Sequence, residues 1–155
     1  KSILLKSYND YKKYNPENEN FINNDEVITR LVFNNSKTII ASRAVYYYRY
    51  NFSSTTRKLN KNNYLKIKNS IILEQVFADN FDLSKDTKAE FISTLWGICR
   101  YRNKYKKELS NLEQWDQIIK KSLKHTTYYD VILQLPLKQK IQVSLLKLQL
   151  GLNLL

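Results

Sequence analysis

Methionine is absent from this chain, and glycine, proline, cysteine and histidine are nearly so: Met 0, Gly 2, Pro 2, Cys 1, His 1. Each scarcity removes a class of chemistry. One cysteine, Cys99, cannot form an internal disulfide, and its place between Ile98 and Arg100 in a helical stretch suits a buried, inert thiol. A lone cysteine also agrees with a reducing compartment. His125 has no histidine or cysteine beside it and no HExxH motif, so no metal site is expected and a surface or helix-end position is. A glycine-built phosphate loop fails by arithmetic: GxGxxG and GxxxxGK[ST] both need clustered glycines, and the two here are Gly97 and Gly151. GxSxG is missing too. No run reaches the ~20 apolar residues of a spanning helix, and no secretory leader is visible. The chain begins at Lys1, and with no methionine anywhere it reads as a piece of something longer.

What is present is charge, tyrosine and asparagine. The formal net charge is +12, so the field around the chain attracts anions such as nucleic acid, acidic lipid or phosphorylated substrates. The apolar share is 43%, enough for a core in 155 residues. Twelve tyrosines supply large side chains with a polar tip, suited to cores with wet edges and to carbohydrate or interface surfaces. Asparagine takes over the turn work that glycine usually does.

The pattern along the chain predicts an α+β protein, mainly α. Residues 2–14 read as a helix or extended lead-in with Ile3, Leu4 and Tyr11 on one side, and 14–24 as a loop, because Pro16 biases Asn15 away from helical geometry. A helix is expected from Asn24 as N-cap, with Asp25 and Glu26 in its first turn and Ile28, Leu31 and Val32 as its stripe. Two short strands follow, Lys37 to Ala41 and Ala44 to Tyr50. Composition changes at residue 51, which makes the polar stretch after it the best boundary. From Tyr64 the pattern is helical: one helix over 64–78, one from a Ser84 cap toward Lys107, one from a Ser110–Glu113 capping box, a short segment 129–135, and a last helix 137–150 behind Pro136. Leu137, Ile141, Leu145 and Leu148 align on that last helix, with Lys138, Lys140 and Lys147 beside them. This face suits a core, a partner helix or an anionic lipid surface.

Asp25 and Glu26 are the best candidates for chemical work. A carboxylate at a helix start, after an asparagine loop, is placed to take a proton from an incoming hydroxyl, provided substrate fills and dries the site. Helix capping is the competing reading. In the strand Tyr46-Tyr47-Tyr48-Arg49, Tyr46 and Tyr48 share a face, and Arg49 ends it with a fork suited to carboxylate or phosphate. Ser53 to Arg57 form a turn that fits a phosphate or simply water. The basic groups are Arg57, Lys58, Lys61, Lys66 and Lys68, then Arg100, Arg102, Lys104, Lys106 and Lys107 interleaved with Tyr101 and Tyr105, then Lys120, Lys121 and Lys124. They suit phosphate backbone, anionic lipid or plain solvation, and no nucleic-acid recognition motif accompanies them.

Residues 14–57 resemble the late part of the catalytic domain of bacterial family 2 glycosyltransferases, the type that builds capsule, O-antigen or other cell-surface glycans. The likeness lies in NPENENFINNDEVITRLVF followed by KTIIASRAVYYYRYNFSSTT. The family has an ED or DE element opening a helix, a short strand, an aromatic YYYR strand and a Ser-Ile-Thr type of turn. The later helices resemble its carboxy-terminal extension, though that part is not specific. The resemblance implies the tail of a GT-A α/β domain over 1–57 and a helical bundle-like extension over 58–155. It implies that Asp25 is the general base toward the acceptor hydroxyl, with Glu26, Arg49, Ser54 and Thr55 near acceptor or donor. Asn24 stands where many members carry glutamate. The family's DxD motif, which holds a divalent metal on the donor, does not occur. Mn²⁺ or Mg²⁺ is therefore expected only in a full-length parent, whose nucleotide-sugar-binding half is missing, and the chain alone is expected to be inactive.

Three functions follow. The first is a fragment of an inverting glycosyltransferase acting on a glycan or lipid-linked acceptor at the cytoplasmic membrane face, with self-association through the uncovered surface. The second is a non-enzymatic helical interaction or membrane-surface module. The third, ranked last, is a basic nucleic-acid binder.

Overall fold

In the computed structural model, the described residues are 2–40, 43, 59–79, 81–126 and 135–151. All regular structure among them is helical: α1 (Ser2–Tyr14), α2 (Asn24–Asn35), a 3₁₀ turn (Asn63–Leu65), α3 (Lys66–Val76), α4 (Phe81–Tyr105), α5 (Leu112–Thr126) and α6 (Leu137–Gly151). The expected α+β class is thus corrected. The predicted strand at 37–41 is irregular from Lys37 to Ile40, where no neighbouring strand among the described residues takes up its backbone groups. Ile39 and Ile40 stand exposed, Ile40 by 86%. The second predicted strand, 44–50, and the segment predicted at 129–135 up to residue 134 lie outside the described residues.

The chain divides into two compact units, Lys1–Asn60 and Lys61–Leu155. In the first, α1 packs against α2. Ser7 and Tyr11 are the buried residues of α1 and Val27 and Leu31 those of α2, spaced i, i+4 on each helix, and Phe21 is buried in the loop between them. Burying an aliphatic side chain of this size contributes about 1.5–3 kcal/mol. Ile3 and Leu4, expected beside Tyr11, are exposed. Asn35, in the last turn of α2, ties back to α1: its Nδ2 donates to Ser7 Oγ at 3.1 Å and Asp10 Oδ2 at 3.3 Å.

In the second unit α4 is the central element, with α3, α5 and α6 packed on it. Its buried stripe is Phe91, Ile92, Leu95, Ile98 and Cys99. Against it lie Ile67, Ile72 and Leu73 of α3, Trp115, Ile119 and Leu123 of α5, and Val143 and Leu146 of α6. α4 starts three residues before Ser84, whose expected cap role is therefore corrected: Ser84 is buried inside the helix and its carbonyl accepts from Thr87 Oγ1 at 3.0 Å. Asn111, not Ser110, immediately precedes α5, and its carbonyl accepts from the backbone of Gln114 and Trp115. Pro136 precedes α6 as expected, and its carbonyl accepts from Gln139 and Lys140. The buried face of α6 is the reverse of the aligned leucines. Gln142, Val143 and Leu146 point inward, while Leu137 (73%), Ile141, Leu145 and Leu148 (59%) are exposed.

Candidate functional site

The segment that carries Asp25 is built by asparagines. Asn15 follows α1 and is 2% exposed. Its Nδ2 donates to Tyr11 Oη at 3.0 Å and to the Glu19 carbonyl at 2.9 Å, and its Oδ1 accepts from the Glu19 N–H at 3.0 Å. Asn24 repeats the device: its Nδ2 donates to the same Glu19 carbonyl at 2.9 Å and its Oδ1 accepts from Phe21 N–H at 3.1 Å. Asn20 Oδ1 accepts from Ile22 N–H at 3.0 Å. Side chains thus meet the backbone groups of Glu19 and the N–H groups of Phe21 and Ile22, a local alternative to sheet or helix pairing.

Three residues of this loop have positive φ: Asn18 at 52°, Ile22 at 62° and Asn23 at 65°. Asparagine adopts this region readily, but for a β-branched isoleucine it is strained, at a cost of about 1–3 kcal/mol. The N-cap is Asn23, not Asn24, and its side chain makes no capping bond. The expected cap assignment is thus corrected: Asn24 is occupied in the loop network, and the first turn of α2 follows a left-handed step.

Asp25 and Glu26 then emerge together on that turn, both exposed. Glu26 Oε1 pairs with Arg30 Nη2 one turn along at 3.1 Å, so one of the two carboxylates is engaged within the helix. Asp25 is the one left facing outward at the positively polarised helix end. Arg49, Ser54 and Thr55 lie outside the described residues, as do Tyr46, Tyr47 and Tyr48. The structure therefore brings Asp25 to Glu26 and defines the loop that aims them.

Of the basic groups, Arg57 and Lys58 also lie outside the described residues. The α4 group splits by face. Arg102 turns inward and pairs with Asp116 of α5. Arg100, Lys104, Lys106 and Lys107 are exposed, as are Lys120, Lys121 and Lys124 on α5. His125 is half-buried at the end of α5, with Nε2 3.1 Å from Glu74 Oε2 and its ring edge-on to Phe91. Cys99 is buried, and burial pushes its thiol up to about 12, against a smaller lowering by Arg102. That thiol is not a nucleophile at neutral pH.

Sequence reasoning missed Asn15, Trp96, Gly97 and Asn103. Asn15 was hidden among many asparagines. The signal for the others was the glycine itself, placed in the middle of a long helical stretch. Gly97 is exposed, and a Cβ there would meet nothing within 4 Å. Around it runs an open groove of about 700 Å³ lined by Trp96, Arg100, Tyr101, Asn103, Lys104 and Tyr105.

Among the described residues no group of histidine, cysteine, aspartate and glutamate is arranged to hold a metal ion. No helix there is long and apolar enough to cross a membrane. Comparison with protein-family models, curated proteins and solved structures returns no match to the chain.

Proposed function

We propose that this chain is the carboxy-terminal part of an inverting family 2 glycosyltransferase. Its parent transfers a sugar from a nucleotide-sugar donor to a hydroxyl of a glycan or lipid-linked acceptor in cell-surface polysaccharide synthesis. The observation that carries the reading is the exposed Asp25–Glu26 pair on the first turn of α2, delivered by a side-chain-knit loop and followed in sequence by the YYYR and Ser-Thr elements.

In this reading Asp25 accepts the acceptor hydroxyl's proton as that oxygen attacks the anomeric carbon. The bond from that carbon to the nucleoside diphosphate breaks, and configuration inverts. Glu26, held by Arg30, keeps a second negative charge beside the base. Arg49, Ser54 and Thr55 close around donor or acceptor. Stabilisation of the departing diphosphate by Mn²⁺ or Mg²⁺ belongs to the parent's donor half. The residues described here do not fit such a metal, so no step in this chain is routed through one. The chain alone is inactive on this account.

The location proposed with it is peripheral, at the inner face of the cell membrane. It is supported by the exposed leucine stripe of α6 beside Lys138 and Lys147, with no acidic residue on that helix.

The test is sugar transfer by the full-length parent over a panel of nucleotide sugars with Mn²⁺ or Mg²⁺, for wild type and Asp25→Asn. Loss of a general base is expected to lower kcat by roughly 10²–10⁴ with the thermal melt unchanged. A parent whose Asp25→Asn form turns over at the wild-type rate would remove Asp25 as the base.

A further inference from the structure

We propose that the groove on α4 around Gly97 binds an anionic sugar, one carrying a phosphate, with the ring over the helix backbone and the charge on Arg100 and Lys104. Three observations meet there. The first is the glycine. In mid-helix it costs about 0.5–1 kcal/mol relative to alanine. Among the described residues nothing requires it, because an added Cβ would meet none of their atoms within 4 Å. A missing side chain that serves no internal packing leaves room for something external to lie against the helix.

The second is the lining. Trp96, Arg100 and Lys104 recur at i, i+4 and i+8, and Tyr101 and Tyr105 form the row beside them. From Trp96 to Lys104 the row is about 12 Å long at 1.5 Å per residue. The tyrosines are fixed rather than loose. Tyr101 stacks on Trp115 at 5.5 Å with the rings 2° apart, Tyr105 tilts against Tyr101 at 4.6 Å, and Tyr64 meets Trp115 edge-on. A rigid aromatic wall loses little entropy when a ligand packs on it.

The third is the charge. Lys104 Nζ sits over the Tyr105 ring at 4.9 Å. Arg100 is exposed and has no carboxylate partner among the described residues, whereas Arg102 is bound to Asp116. One arginine of the pair is structural, and the other faces the groove with its fork open to a phosphate.

The choice of sugar over another polyanion rests on the proposed function, and the geometry favours it. Trp115 covers one face of Tyr101, which narrows the room there for an intercalating base. The tyrosine edges and the Asn103 amide instead suit a hydroxyl-rich ring.

The experiment is NMR titration of the whole 155-residue chain, following the Trp96 indole and Gly97 amide signals. The probes are the 1-phosphates of glucose, galactose and N-acetylglucosamine, the three neutral sugars, inorganic phosphate and an eight-nucleotide oligo(dT). At least one sugar phosphate is expected to bind roughly tenfold more tightly than its neutral sugar or phosphate alone. Gly97→Leu, which fills the floor and favours helix, abolishes that binding with the fold kept. Arg100→Gln with Lys104→Gln reduces the sugar phosphate to the level of the neutral sugar. The proposal is overturned if no sugar phosphate moves these signals, if phosphate alone binds as well, or if oligo(dT) occupies the groove more tightly. Because no transfer is measured, failure here leaves the parent's Asp25 test standing. Failure of that test likewise leaves a measured groove affinity standing.

Discussion

Arg102 holds Asp116 through two parallel hydrogen bonds, Nε to Oδ1 and Nη2 to Oδ2, each 2.9 Å long. The pair joins α4 to α5 where both side chains are mostly covered. This fork-to-fork geometry is what distinguishes it from the exposed i, i+4 pair of Glu26 and Arg30. Arg102→Lys keeps the charge but loses the fork, and is expected to lower stability by about 1–2 kcal/mol. Arg30→Lys is expected to change it by less than about 0.5 kcal/mol. Urea melts of the two variants check the difference.

Cys99 gives an alkaline signature. Its thiol is held protonated up to about 12 in the fold, against an ordinary 9.0. Above pH 9 the unfolded chain therefore releases a proton that the native chain keeps, and stability falls as pH rises through the window 9 to 12. The slope is at most about 1.4 kcal/mol per pH unit. Cys99→Ala removes this component, so the difference between wild-type and variant melts should depend on pH above 9 and be flat below it. A thiol reagent at pH 8 should leave the native chain unmodified and react with the urea-unfolded one.

Asn15 tests the loop. Asn15→Ala deletes three hydrogen bonds at a buried position, among them the one from the Glu19 N–H to Asn15 Oδ1. A loss of about 2–4 kcal/mol is expected in the melt of the first unit, with faster amide exchange at Glu19. On the proposed function, the same change in a full-length parent should lower kcat by disturbing the placement of Asp25, while Glu17→Ala in the exposed part of the loop should not.

The faces of α6 separate packing from surface. Leu146→Ala, at a fully buried position, should cost about 2–4 kcal/mol. Leu148→Glu, on the exposed stripe, should stay within about 0.5 kcal/mol of wild type. The two variants should invert in a flotation assay with liposomes rich in phosphatidylserine at low salt. Leu148→Glu loses retention and Leu146→Ala keeps it for the folded fraction. Equal retention of Leu148→Glu and wild type would sink the lipid reading of this stripe.

Helices were legible where apolar spacing and punctuation agreed, as in α5 with Trp115, Ile119 and Leu123, and in α6 behind Pro136. Faces were harder. Leu137, Ile141, Leu145 and Leu148 make as good a stripe as any on α6, yet Val143 and Leu146 are the buried pair. Hydrophobic spacing says that a helix has a side; it does not say which of two apolar sides meets the neighbour. Over Lys37 to Ile40 the expected strand is irregular for a related reason. β-Branched content describes what fits a sheet, and a sheet still needs a second strand beside it. Asp25 and Glu26 stand out in the sequence because acids at a helix start are a local signal. Asn15 and Gly97 act through what surrounds them in space, on which their immediate sequence is silent.

Trp115 Nε1 donates to the Lys61 carbonyl at 2.9 Å, and Asn111 Nδ2 donates to the same oxygen at 3.2 Å. One carbonyl at the head of the second unit thus serves as the latch for an indole and an amide some fifty residues downstream. Anyone dividing this protein for separate expression inherits a rule from that atom. A piece beginning at or before Lys61 carries its own latch, while one beginning a single residue later strands the Trp115 indole and leaves the Asn111 amide only Gln114 Oε1.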